Sequence, residues 1–162
     1  MSDSELVTGI KYPRPFDTYA ISLCQSASRT ICILSPQLDP AAFDNTELAT
    51  ALNTLVRESR QAKVRILIKD SRALVGRGHR LLELARRLPS SIQIHKLSEH
   101  PNWNGETVVI RDRDGVLFKE GGSTHEAFYE PNSRASTLGQ LELFEELWRY
   151  STEDTELRSL RL

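Results

Sequence analysis

Apolar residues in this chain fall into short continuous runs separated by stretches of helical spacing, and the alternation between the two predicts the architecture. The runs at residues 30–35 (TICILS), 64–70 (VRILIKD) and 92–97 (IQIHKL) have the pattern of strands buried on both faces. Between and before them, Tyr19, Ile21, Leu23, Cys24 and Ala27 share one helical face, with Asp17 in the first turn. Leu48, Ala51, Leu52, Leu55 and Val56 share another, in a helix that starts at Asn45 or Thr46 and runs to about Gln61. A third helix is best formed over residues 79–88, where Leu81, Leu82, Leu84, Ala85 and Leu88 point one way. Gly76 and Gly78 interrupt the segment before it, which reads as a loop. Strand, helix, strand, helix, strand is the grammar of a parallel sheet with right-handed crossovers.

The strongest local signal follows, at residues 106–123 (ETVVIRDRDGVLFKEGGS). Two apolar runs flank the turn Asp112-Arg113-Asp114-Gly115, which predicts a hairpin inside a covered sheet. Residues 127–130 (AFYE) extend or cap that sheet, and a last helix from Ser136 carries Leu138, Leu141, Leu143, Phe144, Leu147 and Trp148, with Glu142, Glu145 and Glu146 on its solvated face. The predicted fold is α/β, a mixed, largely parallel β-sheet flanked by helices. Residues 1–14 read as an extended lead-in, 15–150 as the domain and 151–162 as a polar tail.

Composition sharpens this picture in two places. With 162 residues and 39% hydrophobic content, the chain can bury one good core. No apolar run approaches the roughly 18 residues that span a bilayer, and the first residues have no signal-peptide pattern, so a cytoplasmic location is expected. Cys24 and Cys32 lack metal-ligand spacing and read as small buried hydrophobes, and neither a metal nor a cofactor is expected. The net charge is −1, yet residues 57–96 hold eleven Lys/Arg against three Asp/Glu, leaving ten against nineteen elsewhere. That polarity predicts a basic face.

At the hairpin the sequence resembles one half of the phospholipase D superfamily. The strand ending Ser35-Pro36, the helix after it and the VRILI strand resemble that family's opening unit, Asp114-Gly115 matches its Asp-Gly, and Gly122-Ser123 its Gly-Ser. Counting back along the family's His-x-Lys-x4-Asp-Gly signature puts Thr107 at the nucleophilic histidine and Val109 at the phosphate-binding lysine, while His125 stands at the position of an Asn. The resemblance therefore implies a phospholipase D-like half without the family's chemistry. It also implies a homodimer, because the superfamily builds a site from two halves.

The residues themselves leave three function classes open. In-line displacement at a phosphodiester needs a nucleophile and donors for the equatorial oxygens, and neither Thr107 nor Val109 supplies them. A binding or scaffolding module for nucleic acid or another phosphate-bearing ligand is one class. Its candidate ligand loop is Gly121, Gly122, Ser123, Thr124 and His125 with Asp112 and Asp114, and its candidate anion surface is Arg72, Arg77, His79, Arg80, Arg86 and Arg87. A hydrolase rebuilt around Ser123, His125 and the turn aspartates is the second class, and a purely structural protein-docking domain the third.

Overall fold

A computed structural model describes residues 5–122 and 126–158. In chain order its elements are β1 (Val7–Lys11), α1 (Phe16–Gln25), β2 (Thr30–Leu34), α2 (Pro40–Phe43), α3 (Thr46–Glu58), β3 (Lys63–Ile68), α4 (Arg72–Arg77) and α5 (Arg80–Arg87). They continue with β4 (Ile92–Lys96), β5 (Thr107–Arg111), β6 (Gly115–Lys119), β7 (Glu126–Glu130), α6 (Arg134–Arg149), β8 (Thr152–Glu153) and α7 (Thr155–Arg158). One eight-stranded sheet runs in the order β1-β7-β6-β5-β2-β3-β4-β8.

The α/β class expected from the sequence holds, and the expectation of a largely parallel sheet is corrected. Only β2–β3 and β3–β4 are parallel pairs, each joined by a helical crossover that returns the chain to the neighbouring position in the sheet. β5, β6 and β7 follow one another antiparallel, β5 lies antiparallel against β2, and β1 and β8 close the two edges antiparallel to β7 and β4. The segment read as a lead-in thus contributes β1, with a register shift between Val7 and Ile10 around Gly9 at φ +69°. The polar tail contributes β8 and α7, and Leu157 is buried.

Helix boundaries follow local chemistry. The Asn45 side chain accepts from the Leu48 N–H at 2.8 Å, which caps α3 as the sequence predicts. Ser133 caps α6, and the helix begins two residues before Ser136. The glycine-interrupted stretch forms a short α4, with Gly78 at φ +82° ending it. Two apolar layers result. Ile33, Ile66, Val109 and Leu117 pack with α1, α3 and α5 on one face, while Leu34, Leu67, Val108 and Ile110 pack with Phe144 and Leu147 of α6 on the other.

Two histidines are anchored inside this frame. His79, expected on the surface, is 2% exposed: its Nδ1 accepts from the Leu81 N–H at 3.1 Å and its Nε2–H donates to the Leu38 carbonyl at 3.0 Å. His95 stacks on Trp148 at 3.8 Å with an 11° interplanar angle, and its Nδ1 lies 2.8 Å from the Ser151 hydroxyl. Burial lowers the pKa of both rings. Below the ordinary histidine pKa of about 6.5, the unfolded chain takes up protons that the folded chain refuses. Stability is therefore expected to be full above about pH 6.5 and to fall as the pH drops toward the lowered folded values. Thermal unfolding between pH 7 and 5 checks this, and His79→Asn should flatten part of the slope while lowering the midpoint throughout.

Candidate functional site

The C-terminal ends of β2, β3 and β4 lie along one edge of the sheet, and there the chain turns sharply. Ser35 is buried and its hydroxyl accepts from the Leu38 N–H at 3.0 Å, while Leu38 takes φ +49°. The Pro36 carbonyl accepts the N–H groups of Lys69 and Asp70 at 2.8 and 3.0 Å, tying the β2 turn to the end of β3. These bonds hold open a shallow cleft of about 530 Å³ lined by Gln37, Lys69, Asp70, Arg72, Lys96 and Ser98, with Pro36 as its wall. Open α/β sheets place ligands beyond the carboxyl ends of their strands, which is where this cleft sits.

Its charges are organised. Asp70 accepts from the Arg72 backbone N–H at 3.0 Å and from its Nε and Nη2 at 3.1 and 2.9 Å, and that pairing pushes the Asp70 carboxyl down to about 2. A second opening of about 520 Å³ shares Lys69 and is lined by Glu99, His100, Pro101, Trp103 and Asn104. Sequence reasoning missed Lys69 and Lys96. The signal was present: each lies at or just past the end of a buried parallel strand, one residue beyond β3 and the last residue of β4.

The same edge carries Thr107 and Lys119, which face each other across β5 and β6. Thr107 is 4% exposed and Val109 0%, so neither is presented to a ligand. Lys119 is also buried. Its ammonium donates to the Glu120 carbonyl at 2.9 Å and lies 5.1 Å from the centre of the Tyr12 ring, and burial lowers its pKa. Tyr12 in turn donates to Asp39 at 3.3 Å, and burial followed by the Asp39 charge raises its pKa.

The candidate ligand loop does not assemble as the sequence suggested. Gly121 and Gly122 follow β6 at this edge, but Asp112 and Asp114 sit in the turn before β6, at the opposite end of a five-residue strand and on the order of 15 Å away. Asp112 accepts the N–H groups of Ser28, Arg29 and Thr30 at 3.0, 2.8 and 2.9 Å, and Asp114 accepts from Arg111 at 2.9 Å. Both aspartates are structural, because their carboxylates tie the turn to the start of β2 and to the buried Arg111. Ser123, Thr124 and His125 lie outside the described residues.

The candidate anion surface is also rearranged. His79 is buried and leaves it. Arg80 pairs with Asp44 at 3.1 Å, and Arg86 donates to the carbonyls of Leu157 and Glu156 at 2.7 Å, fastening α7 to α5. Arg72 holds Asp70 but stays 90% exposed at its side chain, while Arg77 and Arg87 are exposed with no ion pair among the described residues.

Comparison with known proteins adds the following. The family model described as "Domain of unknown function (DUF7931)" matches residues 13–160. No curated protein matches the sequence. Among solved structures, the phospholipase D family member Nuc from Salmonella typhimurium superposes with a TM-score of 0.66 at 20% identity, over 94% of this chain and 99% of that one. NucT from Helicobacter pylori superposes at 0.61 with 13% identity, over 94% and 100%. The archaeal chromatin protein TrmBL2, described as showing a novel mode of DNA binding, superposes at 0.64 with 13% identity over 95% of this chain, which spans 55% of that one. At these identities the likeness shows the fold, that of phospholipase D-like proteins. Among the described residues no helix is long and apolar enough to cross a membrane.

Proposed function

The chain belongs to the DUF7931 family, and from that premise and its geometry we propose that it is a non-catalytic module of phospholipase D-like fold that binds nucleic acid through its phosphates. The burial of Thr107 and Val109 carries this reading. At the two positions that motif counting assigns to a nucleophile and a phosphate-binding lysine, a sealed hydroxyl and an apolar side chain can neither attack phosphorus nor bear the developing charge. Arg77 and Arg87 stay exposed with no ion pair among the described residues, and the DNA binding described for the chromatin protein supports nucleic acid as a ligand for a fold of this kind.

Purified protein is expected to turn over no chromogenic phosphodiester, with or without divalent metal. Turnover abolished by Ser123→Ala or His125→Ala would overturn the non-catalytic reading. Fluorescence anisotropy on labelled oligonucleotides should show log affinity falling against log salt with a slope between about −2 and −5, for roughly 3 to 5 phosphate contacts. Arg77→Glu with Arg87→Glu should flatten that slope by about 1.5 to 2 and move stability by less than about 0.5 kcal/mol, since both side chains are exposed. Absence of binding at about 100 mM salt would leave protein docking as the function.

A homodimer is the assembly that accompanies this reading. Phe118 and Phe128 stack at 5.2 Å on the sheet face served by α6, both only partly buried, with Leu138 39% exposed on that helix. This chain spans 55% of the chromatin protein and 41% of a phosphatidylserine synthase from Haemophilus influenzae that superposes at a TM-score of 0.61 with 12% identity. A second copy packed on this face would cover the partly exposed aromatic pair. Light scattering should return twice the chain mass at micromolar concentration, and Phe128→Asp should return one.

A further inference from the structure

We propose that the cleft at the ends of β3 and β4 is a seat for the terminal phosphate of a nucleic acid strand, an inference that rests on the nucleic-acid reading above. Lys69, Arg72 and Lys96 line it against a single carboxylate, Asp70, which leaves an excess of two positive charges. Asp70 is consumed by Arg72 through three contacts. Lys96 comes no closer than 4.0 Å to Asp154, whose carboxylate also accepts the Ser71 hydroxyl at 2.9 Å and the Glu156 N–H at 2.9 Å. Lys69 has no ion-pair partner among the described residues and is shared with the adjoining opening. The cleft therefore holds one ammonium group, Lys69, with no ion pair among the described residues and a second, Lys96, whose pairing with Asp154 is long at 4.0 Å, together with the neutral side chains of Gln37 and Ser98.

A terminal phosphomonoester carries about −1.5 to −2 at pH 7, whereas an internal phosphodiester carries one charge, so the excess in the cleft matches the end of a strand better than its middle. The walls are fixed by the two hydrogen bonds that the Pro36 carbonyl accepts from Lys69 and Asp70 and by the Ser35–Leu38 turn, so little ordering is required on binding.

The test compares oligonucleotides of one sequence carrying a hydroxyl or a phosphate at the 5′ or 3′ end, by anisotropy at fixed salt. The expected result is at least a fivefold preference for one phosphorylated end, lost in Lys69→Gln with Lys96→Gln, and displacement of the phosphorylated strand by inorganic phosphate at concentrations that spare the unphosphorylated one. Equal affinity for all ends overturns the inference and leaves the nucleic-acid reading standing, as does a preference that survives the double substitution. Displacement of both strands alike by inorganic phosphate also overturns it. Failure of every strand to bind at about 100 mM salt overturns both.

Discussion

Gly121→Ala is expected to lower the thermal midpoint by roughly 2–12 °C. A Cβ built at Gly121 would stand 2.0 Å from the Asn104 carbonyl oxygen and 2.8 Å from the Gly105 carbonyl carbon, both backbone atoms of the loop that lines the second opening. Backbone cannot swing aside as a side chain can, so the Asn104–Gly105 segment must move as a unit. Overpacking of this kind costs about 1–3 kcal/mol, which in a chain of this length corresponds to the shift given. Gly122→Ala is the control: nothing lies within 4 Å of its Cβ, but its φ of +80° carries a left-handed penalty of about 1–2 kcal/mol. Gly121→Ala should therefore equal or exceed Gly122→Ala in a thermal melt. An unchanged Gly121→Ala would mean that the two loops do not meet in solution.

Asp112→Ala is the second large effect, expected at about 2–3 kcal/mol in denaturant titration. Its carboxylate accepts three consecutive backbone N–H groups, those of Ser28, Arg29 and Thr30, where the chain leaves α1 and enters β2. Removing it leaves three donors to water at the start of a central strand. Part of the cost is conformational, since Asp112 sits at φ +50° and alanine resists that region. Asp112→Gly removes the acceptors but tolerates the backbone, so it should be milder than alanine by about 1 kcal/mol. Asp112→Asn keeps the oxygen facing Arg29 and Thr30 and turns an amide toward the Ser28 N–H, which places it between wild type and glycine. Equal stability for glycine and alanine would show that the backbone conformation is not strained.

The central sheet was legible because β2, β3 and β4 are continuous apolar runs joined by amphipathic helices, and β5–β6 because two such runs flank a polar turn. The outer strands were not. β1 has the burial pattern intermediate, exposed, exposed, buried, exposed, and its irregularity at Gly9 erases any alternation, so its five residues look like a linker. β8 has only two residues, both exposed, and owes its existence to β4. Those edges, with β7, made the sheet mostly antiparallel. In the candidate site, His79 was misread because its neighbours in sequence are charged, whereas its nitrogens are claimed by a helix cap and the Leu38 carbonyl. Lys69 and Lys96 were passed over because each is one cation in a basic stretch, and only the parallel register brings them to one cleft. The turn aspartates were grouped with Gly121 because they are near in sequence, although a strand's length divides them.

The pairing of β1 with β7 also sets a timetable for the chain's birth. Val7 meets Tyr129, 122 positions later, so β1 has no partner until that stretch has been synthesised. At translation speeds of about 5–20 residues per second, that wait is on the order of ten seconds. Throughout it, β6 has no neighbour on its outer side because β7 does not yet exist, and β2 through β6 must collapse around an incomplete edge. Pairing of β1 with β7 is thus a late event that closes over a long sequence separation, and a nascent chain stalled before residue 130 should expose residues 7–11 to protease while β2 and β3 are already protected.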